Sequence, residues 1–208
     1  MPGHSNTRYK TLLINIVFDS FVNVLLYSIY KLTVHFYSAQ KRGLPHVHLL
    51  LIVENAHDKP ATADYVDKVV SCEVPDKNVD PELHKLVGQH MIHGPCGDLN
   101  PQCPCMHSNP KSRGKCCKGF PFPYCEETQV ETNGYPQYKR PQDGPKFVAI
   151  KRNDKFYNDV DCRWVVPYNP YLLRKYRCHF NVQTACSIKS VKYIYKYIYS
   201  TYIRIFYC

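Results

Sequence analysis

The stretch "QKRGLPHVHLLLIV", residues 40–53, decides how the chain is read. Its last eight residues, His46 to Val53, are apolar apart from the two histidines. That is the length of a buried strand and too short for a stable helix. Gly43 and Pro45 precede the run and "ENAHDKP" follows it, so turn chemistry bounds it on both sides. In a strand, positions two apart share a face, which brings His46 and His48 close enough to hold one metal ion. Lys41 and Arg42, just upstream, are cations suited to phosphate.

Downstream, "ATADYVDKVV" (61–70) reads as a helix. A second helix starts where Asp80 can cap it, with Pro81 in its first position and Glu82 in its first turn. Short strand patterns follow in "YPQYKR" (135–140), "KFVAIKR" (146–152) and "CRWVV" (162–166). "VVPYNPYLLRKY" (165–176) is a proline-marked turn into a short helix, and "CHFNVQTA" (178–185) reads as a strand. Upstream, residues 12–32 are apolar but carry Asn15, Asp19 and Asn23 at intervals of four. That polar stripe predicts an amphipathic helix packed on a core and argues against a membrane span, where Asp19 would be costly. The mixed order predicts an α+β fold built on an antiparallel sheet.

The 208 residues carry 27 basic and 17 acidic side chains, a net charge of +10. Such a surplus favours polyanions, nucleic acid foremost. Trp164, Tyr168, Tyr171 and Tyr176 lie among Arg163, Arg174, Lys175 and Arg177, a mixture in which rings can stack on bases while cations meet phosphates. Lys139, Arg140, Lys151 and Arg152 add further basic strand surface.

Six of the 11 cysteines fall between Cys96 and Cys125, interspersed with histidines. An odd total with a local Cys/His cluster of this kind is a zinc pattern rather than a disulfide framework. His93 and Cys96, then Cys105 and Cys116, make a tetrahedral set, with Cys103, Cys117 and His90 as neighbouring alternatives. The surrounding Gly/Pro-rich segment, 94–123, has too few apolar residues to hold itself together, and a metal would supply the missing staple. Cys72, Cys125, Cys162, Cys178, Cys186 and Cys208 are read as ordinary core or surface residues.

The tail, "SVKYIYKYIYSTY" (190–202), is ambiguous by period. Tyr193, Tyr195, Tyr197 and Tyr199 would line one face of a strand, whereas on a helix Tyr193 and Tyr197 would sit one turn apart.

"QKRGLPHVHLLL" closely resembles the signature of the Helitron helicase-like N-terminal domain, the HUH-type nuclease portion of rolling-circle transposases. "HGPCG" (93–97), "PCM" (104–106), "GKC" (114–116), "NGYPQYKR" (133–140), "VVPYNPYLLRKYRCHFNVQ" (165–183) and "SIKSVKYIYKYIY" (187–199) follow in the family's order. The resemblance covers Gln40 to Tyr199 and implies a central antiparallel sheet carrying the HxH strand, helices on one face, and an embedded Cys/His zinc insert at 90–120. It implies that His46 and His48 hold Mg²⁺ or Mn²⁺, that His93, Cys96, Cys105 and Cys116 hold structural zinc, and that the tail is a helix with Tyr193 and Tyr197 as paired nucleophiles. Nicking and strand transfer of single-stranded DNA in the nucleus would follow, with Lys41, Arg42, Arg174, Lys175, Lys189, Lys192 and Lys196 as DNA contacts. Residues 38–208 are then a partial nuclease domain and 1–37 a divergent segment.

Two departures accompany the likeness. The family commonly has a glutamate just before "QKRG"; here Ser38 and Ala39 stand nearest, and His35 is the candidate substitute for a third ligand. The sequence also contains no phosphate-loop pattern G-x-x-x-x-G-K-[ST], so the helicase motor that accompanies the family domain is not expected in it, nor is ATP hydrolysis. A truncated copy, active as a nuclease or surviving as a catalytically inactive DNA-binding remnant, is the resulting expectation.

Overall fold

The computed structural model describes residues 11–17, 32–39, 45–52, 62–107, 114–130, 136–152, 155–185 and 204–206. The chain divides into two compact units, one of Met1–Val70, Thr128–Gln137 and Cys178–Cys208, the other of Ser71–Glu127 and Tyr138–Arg177.

The first unit is built on a five-stranded sheet. Its strands are β1 (Thr11–Val17), β2 (Leu32–Ala39), β3 (Pro45–Ile52), β6 (Phe180–Ala185) and β7 (Arg204–Phe206), in the order β6-β1-β3-β2-β7, with every pairing antiparallel. The apolar run from His46 to Ile52 is therefore in the middle strand. A middle strand has hydrogen-bonded neighbours on both edges, which suits a nearly continuous apolar sequence. Along β6, Phe180, Val182 and Thr184 are buried while Asn181 and Gln183 are half-buried, the alternation of a strand with one covered face. Helix α1 (Ala63–Val69) is capped by Thr62, whose hydroxyl accepts from the Tyr65 amide at 3.3 Å. Val66 on its inner face is fully buried, and the Thr128 hydroxyl donates to Asp67.

The amphipathic helix expected over 12–32 is corrected at its start, where Thr11–Val17 is a strand. "TLLINIV" pairs with β3 on one side and β6 on the other, so β-branched residues and two-sided pairing override the polar stripe. Residues 18–31 lie outside the described residues.

The second unit holds helix α2 (Pro81–His90), the short helix α3 (Pro104–His107), the hairpin of β4 (Phe147–Arg152) with β5 (Lys155–Val160), and helix α4 (Pro170–Tyr176). Both longer helices begin as their sequences dictate. Asp80 accepts from the Leu83 amide at 3.0 Å, Asn169 from the Leu172 amide at 2.9 Å, and a proline follows each cap. Arg174 pairs with Asp80 and Arg177 with Glu82, tying α4 to the start of α2. Val87, Met91, Val165 and Leu173 are fully buried and form the centre of this unit, with Tyr168 and Trp164 beside them. The Tyr168 hydroxyl leaves that centre satisfied, donating to the Glu73 carbonyl at 3.1 Å.

Two strand expectations need correction here. "CRWVV" begins as a 3-10 turn, Cys162–Trp164, because Asp161 caps it by accepting from the Arg163 amide at 3.0 Å; only Val165 then bridges to Ile92. "YPQYKR" contributes isolated bridges at Gln137 and Arg140 rather than a continuous ladder. Nor is Arg140 surface: it is 3 % exposed, donates to the Cys162 carbonyl and lies 4.8 Å above the Phe122 ring. A buried guanidinium needs such partners, and sequence gave no sign of them.

Candidate metal centre

His93 leaves α2 two residues after the C-cap Met91 and is held by its amide donating to the Trp164 carbonyl at 2.9 Å. The chain then turns sharply. Gly94 has φ +76°, and a Cβ there would come within 2.8 Å of the Cys96 amide nitrogen. Only glycine lets the backbone fold Cys96 back towards His93. Cys105 is carried by α3, and Cys116 by a turn whose Cys117 amide donates to the Cys105 carbonyl at 3.1 Å.

These four residues, the set singled out from sequence, come together. Their ligand atoms all lie within 4.8 Å of one another, and the three cysteines are buried. A zinc tetrahedron with bonds of about 2.3 Å has edges of about 3.8 Å, so the donors already stand near bonding positions. His93 Nε2 is 3.3 Å from Cys116 Sγ, and the imidazole stacks on Phe120 with ring centroids 4.2 Å apart. That stacking fixes the ring plane. Cys103 Sγ lies 3.5 Å from Cys105 Sγ but outside the set of four.

The thiols are electrostatically unequal. Burial pushes the Cys96 thiol up to about 12 and raises Cys105 as well. Cys116 is shifted the other way: burial opposes ionisation, but amides of Lys118 and Phe120 directed at the sulfur, together with hydrogen bonds from the Cys105 and Cys96 thiols, outweigh it. One sulfur thus ionises more readily than the other two, and a bound cation would displace the thiol protons. Three buried thiols and one imidazole suit zinc, a borderline-soft ion, rather than a hard oxygen-seeking cation. Phe120 and the Lys118 amide, which steady His93 and Cys116, carried no sequence signal of that role.

The second predicted metal position is seen at backbone level. His46 pairs with Val17 in β1 and Ser38 in β2; His48 pairs with Asn15 and Phe36. Asn15 in turn pairs with Asn181 of β6, so Asn181, Asn15 and His48 form one row across three strands. Asn181 Oδ1 is buried without a hydrogen-bond partner, a polar atom of this row left unsatisfied. His35, the candidate third ligand, pairs with Leu49, one register position beyond the His48 row and in neither histidine row.

Of the expected DNA contacts, Arg174 is engaged with Asp80, and Lys175 Nζ lies 5.8 Å and 5.4 Å from the ring centroids of Tyr171 and Tyr176. Lys41, Arg42, Lys189, Lys192, Lys196 and both candidate nucleophiles, Tyr193 and Tyr197, lie outside the described residues. No helix among the described residues is long and apolar enough to cross a membrane. A scan against protein-family models and a search of curated proteins give no match.

Proposed function

We propose that this chain is a Helitron-type HUH endonuclease domain that nicks and transfers single-stranded DNA in rolling-circle transposition, with zinc as a structural cofactor. The observation that carries the reading is the place of "HVH", on the middle strand of a five-stranded antiparallel sheet. Rigid central strands hold catalytic groups in fixed register better than loops do. A Mg²⁺ or Mn²⁺ ion bound by His46 and His48 would polarise the scissile phosphate and stabilise the leaving oxygen.

The protein's own contribution is the nucleophile. A free phenol has a pKa of about 10 and attacks weakly near neutrality. Tyr193 or Tyr197 would lose its proton and bond to phosphorus as the P–O bond to the neighbouring nucleotide breaks. The leaving 3′-oxygen takes up a proton, and the 5′-phosphate stays on the tyrosine. The linkage conserves a phosphodiester for religation, and a second tyrosine allows a second strand to be held. The nucleus is the matching compartment.

The test is a labelled single-stranded oligonucleotide incubated with the chain and Mn²⁺. A covalent adduct lost in Tyr193→Phe plus Tyr197→Phe supports the reading; no adduct with the natural chain sinks it. A second reading, an inactive DNA-binding remnant, is favoured by the register itself: the partners of the two histidines are Val17, Ser38, Asn15 and Phe36, with no carboxylate among them. Hard cations prefer charged oxygen ligands. Binding without an adduct selects that reading.

A further inference from the structure

The second unit contains a cleft of about 590 Å³ between α2 and β4, lined among others by Lys77, His84, Lys85, Phe147, Ala149 and Lys151. Three of these six side chains are lysines, and all three lysines are exposed. The floor is apolar and rigid. Phe147 is buried, its ring centroid is 4.4 Å from that of His84, and His84 Nδ1 is anchored 2.7 Å from the Pro75 carbonyl. Helix α2 can lie this close because Gly88 has no side chain; a Cβ there would stand 2.9 Å from the Phe147 ring.

Beside the cleft lies an aromatic residue that burial does not explain. Phe156 of β5 is 69 % exposed. It pairs directly with Lys151 of β4, as Asn158 pairs with Ala149. Paired residues of an antiparallel hairpin share a face with Cβ atoms about 5 Å apart. The hairpin therefore continues the lysine-lined trough with an open ring. Cations along a trough with an aromatic platform beside them are the arrangement that single-stranded nucleic acid uses, phosphates on the lysines and a base on the ring. A single free phosphate would need neither the ring nor a cleft that follows α2 from Pro81 to Gln89, about 12 Å of helix. The net charge of +10 draws the same class of ligand.

We infer that the α2–β4 cleft and Phe156 form a binding track for single-stranded nucleic acid, separate from the HxH strand. The choice of ligand agrees with the proposed nuclease, but the site rests on its own geometry.

The experiment is fluorescence anisotropy of labelled oligothymidylate with the zinc-loaded full chain over a salt series. Each phosphate contact on a single strand contributes about 0.7 to the slope of log affinity against log salt, so Lys85→Glu plus Lys151→Glu should reduce the slope by about 1.4. The matched change at exposed Lys68 and Lys115, outside the cleft, should leave it nearly unaltered. Phe156→Ala should lose about five-fold or more in affinity with the slope unchanged, and Phe156→Trp should retain binding. Unchanged zinc content and circular dichroism verify that each variant is folded. Equal losses in the two double variants, an unaltered Phe156→Ala, or tighter binding of a duplex of the same length overturns the inference. These losses in a chain that forms no covalent adduct would keep the track and dispose of the nuclease alone.

Discussion

His93 Nε2 stands 3.3 Å from Cys116 Sγ, although the two residues are 23 positions apart in a segment with little apolar sequence to fold it. Burial alone does not hold such a loop in that shape, and a shared ion does. The chain should purify with one zinc ion. Cys105→Ser should lower zinc affinity by more than the roughly 10–100-fold typical of residues that only support a ligand. Cys103→Ser, 3.5 Å away, should leave it nearly intact. Metal analysis and chelator competition on the two variants separate ligand from neighbour; equal effects would show that the set of four is wrong.

Gly94 sets the approach of Cys96. An alanine there must adopt φ near +76° and place its Cβ against the Cys96 amide, which is backbone and cannot swing aside. The left-handed conformation alone costs about 1–2 kcal/mol. Gly94→Ala should therefore weaken zinc binding by about tenfold or more. Gly97→Ala is the control, since its Cβ would meet no atom within 4 Å at a similar φ of +70°. Chelator competition should rank Gly94→Ala clearly below Gly97→Ala.

The metal set was legible because cysteine and histidine are rare and their spacing survives any fold. The cap at Asp80 was legible for a similar reason: it needs only residues adjacent in sequence. "HVHLLLI" was legible by length and flanks, and it became the central strand. "TLLINIV" was not, because its strand character comes from partners 29 or more residues away, and a seven-residue apolar run fits either period. Arg140 misled for the opposite reason. A cation reads as surface unless its buried partners, here the Cys162 carbonyl and the Phe122 ring, are already known.

Asp161 links Tyr124 and Arg163. Its carboxylate accepts from the Tyr124 hydroxyl at 2.9 Å and from Arg163 Nη2 at 2.8 Å. Burial works to raise its pKa, but the Arg163 guanidinium and amide and the Tyr124 hydroxyl together hold it below the ordinary value. A carboxylate with a depressed folded pKa contributes stability that is fully present above its unfolded pKa of about 3.9 and is lost as pH falls through the folded value. Asp161→Asn keeps the shape and removes the charge. It should cost about 1–2 kcal/mol at neutral pH, discounted because Arg163 is over a third exposed. Urea unfolding of the two proteins should begin to converge as pH drops below about 4 and should coincide once pH lies below the folded value. A difference that persists there would mean that charge is not the cause.

Arg174 and Lys175 are neighbours with different work to do. Arg174 is tied to Asp80, the residue that caps α2, so its guanidinium is already engaged before any nucleic acid arrives. Lys175 lies near the rings of Tyr171 and Tyr176, and Tyr171 is 66 % exposed. A half-exposed ion pair is worth at most about 1 kcal/mol, and its loss also frees the cap. Arg174→Ala should therefore lower stability by about that amount and change the salt dependence of oligonucleotide binding little. Lys175→Ala should do the reverse, leaving the urea midpoint in place while reducing the salt slope by about 0.7. Urea titration and anisotropy on the same two variants decide it. A slope loss in Arg174→Ala equal to that in Lys175→Ala would mean that Arg174 leaves Asp80 to meet phosphate.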